Sequence, residues 1–201
     1  MEVILPALAA LASYLVGSVP SALIAARLAG RPDPRTVGTG NAGSTNVALT
    51  VGPIAGIAVL VADLLKGIVA GFAGLLIGGA IAGDVCALAA VVGQILPLFA
   101  GFRGGKGAAT TLGGYIGVFP PLAILGLLTW GIGLLLIRRA VLATVTAIVA
   151  LGVVTIALGE HQLLGIGAAI LTLAAHRTHL SAWRRGEMPT VTQSLRDNRR
   201  V

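Results

Sequence analysis

The chain has 201 residues, of which 56% are hydrophobic and only 10% charged, and its formal net charge is +7. Soluble domains carry roughly 25% charged residues, so this composition excludes a soluble enzyme, and it also excludes a disordered chain, which would be polar. The sequence therefore predicts an all-α polytopic membrane protein with about seven transmembrane helices and glycine-rich cytoplasmic loops.

The candidate transmembrane helices are apolar runs separated by short polar segments. A run of about 20 apolar residues crosses a bilayer as a helix. In chain order the runs cover residues 3–26, 52–82, 85–102, 108–118, 122–137, 141–158 and 163–175. The fourth and seventh runs are short and are expected to be tilted or partly re-entrant, which leaves five crossings as the alternative count. Pro20 is expected to bend the first helix near its inner end.

The basic residues indicate the orientation of the chain. If the seven runs alternate in direction, one side holds every one of the 14 basic residues except Lys66, and the other holds only Glu2, Asp84 and Glu160 among charged side chains. Because cytoplasmic loops are enriched in Lys and Arg, the N-terminus is predicted outside and the C-terminus in the cytoplasm. Residues 1–183 are predicted to form a single membrane domain. Residues 184–201 are predicted to form a basic tail, which either contacts anionic headgroups or only sets the topology.

The first polar motif is the sequence GTGNAGSTN at residues 38–46. Glycine allows close backbone approach to a ligand, and Asn, Ser and Thr supply neutral donors and acceptors. The motif therefore predicts a binding loop, and the alternative is a flexible surface loop. The absence of Lys and Glu argues against that alternative, since a solvated linker would usually contain some.

The second polar motif is GFRGGKGAAT at residues 101–110. Its glycines lead into a predicted helix start beside a lysine and an arginine, and the N–H groups and dipole of a helix start favour an anion. A glycine-rich turn with Lys106 therefore predicts a phosphate site. It is not a Walker A loop, because residue 100 is Ala and residue 107 is Gly. The alternative is an ordinary basic turn on the cytoplasmic side.

Two further groups of ionisable residues are candidates for function. Asp63 and Lys66 lie within an apolar run at a spacing that shares one helix face, and such residues are functional candidates by default, although a self-neutralising structural pair is equally compatible. His176, Arg177 and His179 lie near the end of the last run. No further ligands suggest a metal site there, so contact with a phosphate is the favoured interpretation.

The order of these motifs resembles the bacterial acylphosphate-dependent glycerol-3-phosphate acyltransferase family. The matching pieces are GSVPS at 17–21, GTGNAGSTN with Gly52 after it, DLLKG at 63–67, PLF at 97–99, GFRGGKGAAT, and His176-Arg177 with Gly186-Glu187. Each piece alone is weak, but their combination in this order is specific and extends over most of the chain.

The resemblance implies seven spans in the bacterial inner membrane, with an active site open to the cytoplasm. It implies transfer of a fatty acyl group from acyl-phosphate to the 1-hydroxyl of glycerol 3-phosphate, which yields lysophosphatidic acid and phosphate in phospholipid synthesis. Its partners are these substrates and membrane lipids, without nucleic acid, metal or cofactor.

Site residues are assigned on this basis. The expected catalytic residues orient or neutralise the reacting groups, and His176 either contacts phosphate or holds the last helix; they are Lys106, Asn41, Thr45, Asn46 and His176. The expected substrate-binding residues are Gly40, Ser44, Arg103, Gly104, Gly105, Gly107, Thr110, Arg177 and His179. Asp63 and Lys66 are expected to support the site rather than to perform chemistry.

Four positions depart from the family pattern. Leu49 stands where the family has an arginine, Gln94 where it has a histidine, Val141 where it has a serine, and His179 where it has an asparagine. The arginine, serine and asparagine of the family would each be expected to hold a phosphate or substrate oxygen. The alternatives are therefore a non-catalytic or substrate-altered relative, or a protein that binds or transports a small anion. Against transport, the sequence contains no detectable inverted repeat.

Overall fold

The computed structural model describes residues 4–187, and every regular element in that range is helical. The α-helices are α1 (Ile4–Gly17), α2 (Ser21–Leu28), α3 (Ser44–Thr50), α4 (Pro53–Ile95), α5 (Ala108–Val118), α6 (Pro120–Ile137), α7 (Ala140–Leu158), α8 (Gln162–Ala175) and α9 (Arg177–Arg184), with a 3₁₀ turn at Leu98–Ala100. This confirms the predicted all-α fold class. Glu2 and most of the predicted basic tail, including Arg196, Arg199 and Arg200, lie outside the described residues.

Several of these helices are long and apolar enough to cross a membrane. Within residues 4–187 they are Ile4–Leu28, Pro53–Ala100, Pro120–Ile137 and Ala140–Leu158, and α8 with α9 forms a fifth candidate that is bent by 61°. The predicted number of seven is approximate. Each predicted run falls on a helix, but α5 has only 11 residues, about 16 Å of helix, which is shorter than the roughly 30 Å hydrocarbon core.

Helix α4 reverses direction at two glycines. Gly78 and Gly79 have non-helical backbone angles, and Gly79 has a φ of 71°, which glycine adopts without a steric penalty. On either side of this turn, Gly71 lies beside Ala87, although a continuous helix would separate them by about 24 Å. The two parts of α4, residues 53–77 (the first arm) and 80–95 (the second arm), therefore form a hairpin.

The position of this turn corrects the predicted boundary between the second and third runs. The sequence placed the turn between residues 82 and 85, with Asp84 in an outer loop. Asp84 instead lies within the second arm and is 3% exposed. The paired glycines at 78 and 79 end the first arm earlier than hydropathy alone indicates, because the run around them stays apolar while their non-helical backbone angles turn the chain.

The chain divides into two compact units, Met1–Pro120 and Pro121–Val201. In the first unit, glycines allow α5 to pack closely against the first arm of α4. A side chain at Gly67 would collide with the carbonyl oxygen of Thr110, and one at Gly113 would collide with that of Leu64. Close backbone packing through small residues is typical of helices in membranes. This packing places the short α5, and the glycine-rich segment at residues 101–107 that precedes it, inside the first unit.

Helices α1 and α2 form one apolar stretch with a break at residues 18–20. Gly17 packs against Ala90 of the second arm, and the helix then stops at Pro20, which lacks the N–H that a helix interior requires. Helix α1 ends at Gly17 and α2 begins at Ser21, so the first span is interrupted around Pro20, and a bend there stays a prediction. The break leaves the Val19 carbonyl oxygen available to a side chain.

The second unit is built from helices α6 to α9. Gly152 of α7 lies against Gly165 of α8, and Trp130 of α6 donates a hydrogen bond to the Thr144 hydroxyl of α7, with an N–O distance of 3.1 Å. Helix α8 ends at His176, which is 2% exposed. The prediction of one membrane domain over residues 1–183 stays a prediction.

Candidate functional site

The first polar motif is an ordered loop whose shape depends on Asn46. This residue is 1% exposed, and its amide nitrogen donates to the carbonyl oxygens of Pro34, Val37 and Asn41 at 2.6, 3.1 and 3.0 Å. Its amide oxygen accepts a hydrogen bond of 2.8 Å from the Thr39 N–H. One side chain thus joins four points of the loop, so the loop is not the flexible segment of the alternative interpretation.

These bonds give Asn46 a structural role. Both of its amide hydrogens are committed to backbone carbonyls, so the residue orders the loop. A direct role of Asn46 in orienting the acceptor stays a prediction. The other candidates of the motif lie nearer the surface: Thr45 and Gly40 are exposed, and Asn41 and Ser44 are half-buried.

Replacing Asn46 with alanine is expected to destabilise the protein by about 1–3 kcal/mol, because buried carbonyl groups lose their donor. Thermal unfolding in detergent micelles measures this change. Thr45→Ala, one residue away on the exposed side of α3, serves as the control and should leave the unfolding temperature unchanged. Equal unfolding temperatures for Asn46→Ala and wild type would contradict the assigned role.

Arg35 connects the first loop to the second motif. Its guanidinium pairs with Asp33, with an Nη2–Oδ2 distance of 2.7 Å, and its Nη1 donates to the carbonyl oxygens of Ala100 and Arg103 at 2.8 and 3.1 Å. The hydrogen bond from Arg35 also lowers the pKa of Asp33 below its usual value. Because its donors are used in this way, Arg35 positions the glycine loop.

The second motif packs tightly against the end of α4. The N–H groups of Gly104 and Gly105 donate to the carbonyl oxygens of Ile95 and Gln94 at 3.2 and 3.0 Å. A side chain at Gly104 would collide with the Gln94 carbonyl oxygen, and one at Gly105 would come within 2.8 Å of the Ala42 carbonyl oxygen. The glycine loop (residues 101–107) therefore touches both α4 and the first motif.

These contacts bear on the predicted phosphate cradle, which stays a prediction. The backbone N–H groups of Gly104 and Gly105 donate to carbonyl oxygens of the protein. Arg103 and Lys106 of the same loop carry positive charges, and the loop leads into the first turn of α5, whose N-cap is Gly107 with a φ of 76°. Thr110, expected to bind substrate, is fully buried, and its hydroxyl has no hydrogen-bond partner.

Lys106 lies between the glycine loop and the start of α5. It is half-buried, and this burial lowers the pKa of its ammonium group to about 8. Removal from water disfavours the charged form of a lysine. A partly buried ammonium group at the end of the glycine loop is a candidate contact for a negatively charged ligand.

Asp63 and Lys66 form a buried ion pair with two further side chains. The Lys66 ammonium donates to Asp63 Oδ1 at 2.8 Å, to Gln94 Oε1 at 2.7 Å and to Ser21 Oγ at 2.9 Å, and also to the Val19 carbonyl oxygen at 2.6 Å. We call Ser21, Asp63, Lys66 and Gln94 the buried network.

The network closes on itself through Gln94 and Ser21. Gln94 Nε2 donates to Asp63 Oδ2 at 2.9 Å, and the Ser21 hydroxyl donates to Asp63 Oδ1. Asp63 and Lys66 are 4% and 6% exposed, a burial that only a paired and hydrogen-bonded charge tolerates. This arrangement is consistent with the predicted supporting role of Asp63 and Lys66. That they take no part in the chemistry itself stays a prediction.

A small, open cleft adjoins the buried network. Its polar side chains are those of Ser21, Gln94 and Arg103. Its other walls are small, apolar or glycine residues, namely Val19, Pro20, Ala22, Leu23, Ala42, Pro97, Ala100, Gly104 and Gly105. Of the predicted site residues, only Arg103, Gly104 and Gly105 line the cleft. The following are not part of its lining: Gly40, Asn41, Ser44, Thr45, Asn46, Lys106, Gly107 and Thr110.

The other predicted residues lie in the second unit. His176 Nδ1 is 2.8 Å from the Thr172 carbonyl oxygen, and its ring centre is 6.4 Å from that of His179 on α9. These contacts support the role of His176 in holding the junction of α8 and α9, and its contact with phosphate stays a prediction. Arg177 is exposed.

Three of the four family departures lie outside the cleft lining. Leu49 is on α3, Val141 is in the first turn of α7 and His179 is on α9. The fourth departure, Gln94, belongs to the buried network. Its side chain is a neutral amide, whereas the family has an ionisable histidine at this position.

Sequence reasoning did not identify Ser21, Arg35 or Gln94 as site residues. Ser21 follows a helix-breaking proline and Gln94 is an amide late in an apolar run, and such placements are signals for a polar contact inside the membrane domain. The partners of these residues are 42 and 31 positions away, so only the fold identifies them.

Comparison with known proteins agrees with the arrangement described above. Residues 7–186 match the family model described as glycerol-3-phosphate acyltransferase. The chain is 37% identical over 199 residues to the glycerol-3-phosphate acyltransferase of Thioalkalivibrio sulfidiphilus, which covers 95% of this chain and 96% of that relative.

The fold is also similar to two crystal structures of PlsY (YgiH), an integral membrane glycerol 3-phosphate acyltransferase. For the glycerol 3-phosphate form the TM-score is 0.87 at 30% identity, and for the lysophosphatidic acid form it is 0.85 at 29% identity. Each comparison covers 92% of this chain and 94% of the other. Since sequence and fold agree over nearly the whole chain, this integral membrane protein belongs to the glycerol-3-phosphate acyltransferase family.

Proposed function

We propose that this protein transfers a fatty acyl group from acyl-phosphate to the 1-hydroxyl of glycerol 3-phosphate, which yields lysophosphatidic acid and inorganic phosphate. As a member of its family it is an acyltransferase of phospholipid synthesis. The observation that carries the proposal is the cleft, where Arg103 and the glycine loop that leads to Lys106 adjoin a buried polar network. The cleft presents one cation, Arg103, and one hydroxyl, Ser21, which match the phosphate and alcohol groups of a phosphorylated polyol.

The proposed reaction needs little activation by the protein. In an acyl-phosphate the carbonyl carbon is already bonded to a good leaving group. The acceptor oxygen forms a bond to this carbon, the bond from the carbon to the phosphate oxygen breaks, and the phosphate departs with the electron pair. A phosphate oxygen takes the proton of the attacking hydroxyl. Holding the two substrates together and neutralising their charge then supplies the rate enhancement.

Lys106 and Arg103 are the proposed charge-neutralising groups. Both belong to the glycine loop, which is held against α4 by backbone hydrogen bonds and against the first loop by Arg35. A fixed loop places its charges before the substrate arrives, and such preorganised charges cost no rearrangement during the reaction.

The proposed location is the bacterial inner membrane, with the N-terminus outside and the site facing the cytoplasm. The support is the clustering of basic residues on one predicted side. Arg27, Arg35 and Arg103, which all belong to the first unit, fall on that side together with Lys106. This is the side from which a soluble phosphorylated acceptor would arrive.

Phosphate release by the purified protein tests the proposed function. The protein in lipid micelles is mixed with acyl-phosphate and glycerol 3-phosphate, and released phosphate and lysophosphatidic acid are measured. Equal amounts of both products are expected. The departures at Leu49, Val141 and His179 favour a second candidate, a relative that binds a phosphorylated ligand without this transfer. Binding of glycerol 3-phosphate without product formation would support that candidate.

Activity is expected to fall about tenfold as the pH rises from 7 to 9. Burial lowers the pKa of Lys106 to about 8, so its charge is present below this value and lost above it. The phosphate of the acceptor is already a dianion across this range, since its second pKa is about 6. Initial rates at subsaturating acceptor measure the effect.

The variant Lys106→Arg provides the control for this pH profile. The guanidinium group stays charged over the whole range, so the decline above pH 8 should disappear even if the absolute rate is lower. An unchanged decline in the variant would assign the pH dependence to another group.

A further inference from the structure

We propose that Ser21 is a positioning residue for the acceptor, and that its hydroxyl oxygen accepts a hydrogen bond from the attacking 1-hydroxyl of glycerol 3-phosphate. This inference rests on the proposed function and deepens it. The observation behind it is that Ser21 lines the cleft and is at the same time bonded to the buried ion pair.

The bonds of Ser21 determine what it offers to a ligand. Its hydroxyl hydrogen is donated to Asp63 Oδ1, and one of its acceptor positions is filled by the Lys66 ammonium at 2.9 Å. A hydroxyl has one donor and two acceptor positions. What remains is a single acceptor position, so Ser21 recognises a donor such as an alcohol O–H.

The buried network holds this hydroxyl in place. Ser21 is bonded to both members of an ion pair that is almost completely buried, and Gln94 fixes the pair from the other side by accepting from Lys66 and donating to Asp63. A hydroxyl held by two charged partners keeps its direction before the ligand binds, which is the condition for efficient positioning of a reacting group.

The rest of the cleft agrees with this choice of ligand. Of its three polar side chains, Gln94 has its amide oxygen and one amide hydrogen committed to the network, and Arg103 is exposed and cationic. Ser21 then provides the acceptor for an alcohol and Arg103 the charge for a phosphate. The chemistry of the cleft lining therefore matches a small molecule that carries both groups.

The same bonds exclude Ser21 as the base. The Ser21 hydroxyl is polarised towards Asp63, whose charge is already balanced by Lys66. Ser21 therefore orients the attacking oxygen but does not take up the proton that this oxygen loses. As the oxygen bonds to the acyl carbon and the phosphate leaves with the electron pair, the proton passes to a phosphate oxygen. The protein is left in its starting protonation state.

Comparison of two ligands in two proteins tests the inference. Binding of glycerol 3-phosphate is measured by titration calorimetry beside 2-hydroxypropyl phosphate, the analogue that lacks the 1-hydroxyl. Wild type is expected to bind glycerol 3-phosphate about tenfold more tightly, the usual size of one good hydrogen bond. In Ser21→Ala this preference should vanish, and Ser21→Thr, which keeps the hydroxyl, should restore it.

The ratio of the two affinities separates positioning from a merely structural role. Loss of folded protein lowers the number of sites for both ligands equally and leaves the ratio unchanged, and Asp63, Lys66 and Gln94 still hold one another in Ser21→Ala. Ser13→Ala, which removes another buried serine hydroxyl from α1, is the control and should keep the wild-type ratio.

Three outcomes overturn the inference. They are an unchanged preference in Ser21→Ala, a wild type without preference for the 1-hydroxyl, and a wild type that binds neither ligand. Failure of the proposed function gives a different result: wild type binds glycerol 3-phosphate but releases no phosphate from acyl-phosphate. The binding measurement still tests Ser21 in that case.

Discussion

Replacing Lys66 with methionine is expected to destabilise the protein by about 3–5 kcal/mol, because it leaves the Asp63 carboxylate as an uncompensated charge in the interior of the membrane domain. Lys66 is only 6% exposed and is bonded to four oxygen atoms. Water cannot replace these contacts without opening the packing between α1 and α4. Chemical unfolding in detergent micelles, followed by circular dichroism, measures the loss.

A double variant shows whether the charge is the cause. In Asp63→Asn combined with Lys66→Met both charges are removed, and replacing a whole buried pair is often close to neutral. The double variant is therefore expected to recover much of the lost stability. Arg184→Met removes an exposed basic residue as the matched control. A Lys66→Met protein as stable as wild type would show that Asp63 does not depend on its partner.

Replacing Lys106 with alanine is expected to lower kcat/KM for glycerol 3-phosphate by about 10²-fold. Loss of one charged contact to the reacting groups costs about 1.5–3 kcal/mol, and each 1.4 kcal/mol is a factor of ten. The backbone of the glycine loop is held by Gln94 and Ile95 independently of this side chain. The folded protein should therefore persist, and steady-state phosphate release measures the effect.

Two further variants make this prediction specific. Lys106→Arg keeps the charge and should retain more activity than the alanine variant, whereas Arg27→Ala removes an exposed cation of α2 outside the cleft and should behave as wild type. Wild-type kcat/KM in Lys106→Ala would remove this lysine from the site and leave Arg103 as the charged group of the cleft.

The structure shows hydrogen-bond partners that accommodate one departure from the family pattern, Gln94, but not another, Leu49. Gln94 is accommodated by its neighbours, because its amide can accept from Lys66 and donate to Asp63 at the same time. Leu49 carries no charge, and the arginine of the first loop, Arg35, donates to Asp33 and to two backbone carbonyls. The proposed charge neutralisation therefore depends on Lys106 and Arg103.

The amino-acid sequence by itself determined the class of the protein. Its hydropathy predicted helices in a membrane, and each of the seven apolar runs is helical, because a chain in lipid must satisfy its backbone hydrogen bonds locally. The order of the motifs also indicated the family, since the glycine and asparagine motifs are local features of the chain. Pro20 likewise acts locally, and it lies in the break between α1 and α2.

Only the tertiary structure decided how the motifs are used. Asn46 and the N–H groups of Gly104 and Gly105 looked like ligand donors in sequence, and in the fold they donate to backbone carbonyl oxygens. Ser21 gained a role from partners more than 40 residues away. Whether a polar group faces a ligand or its own protein depends on which distant carbonyl or carboxylate the packing brings within hydrogen-bond distance, and glycine contacts between helices set that packing.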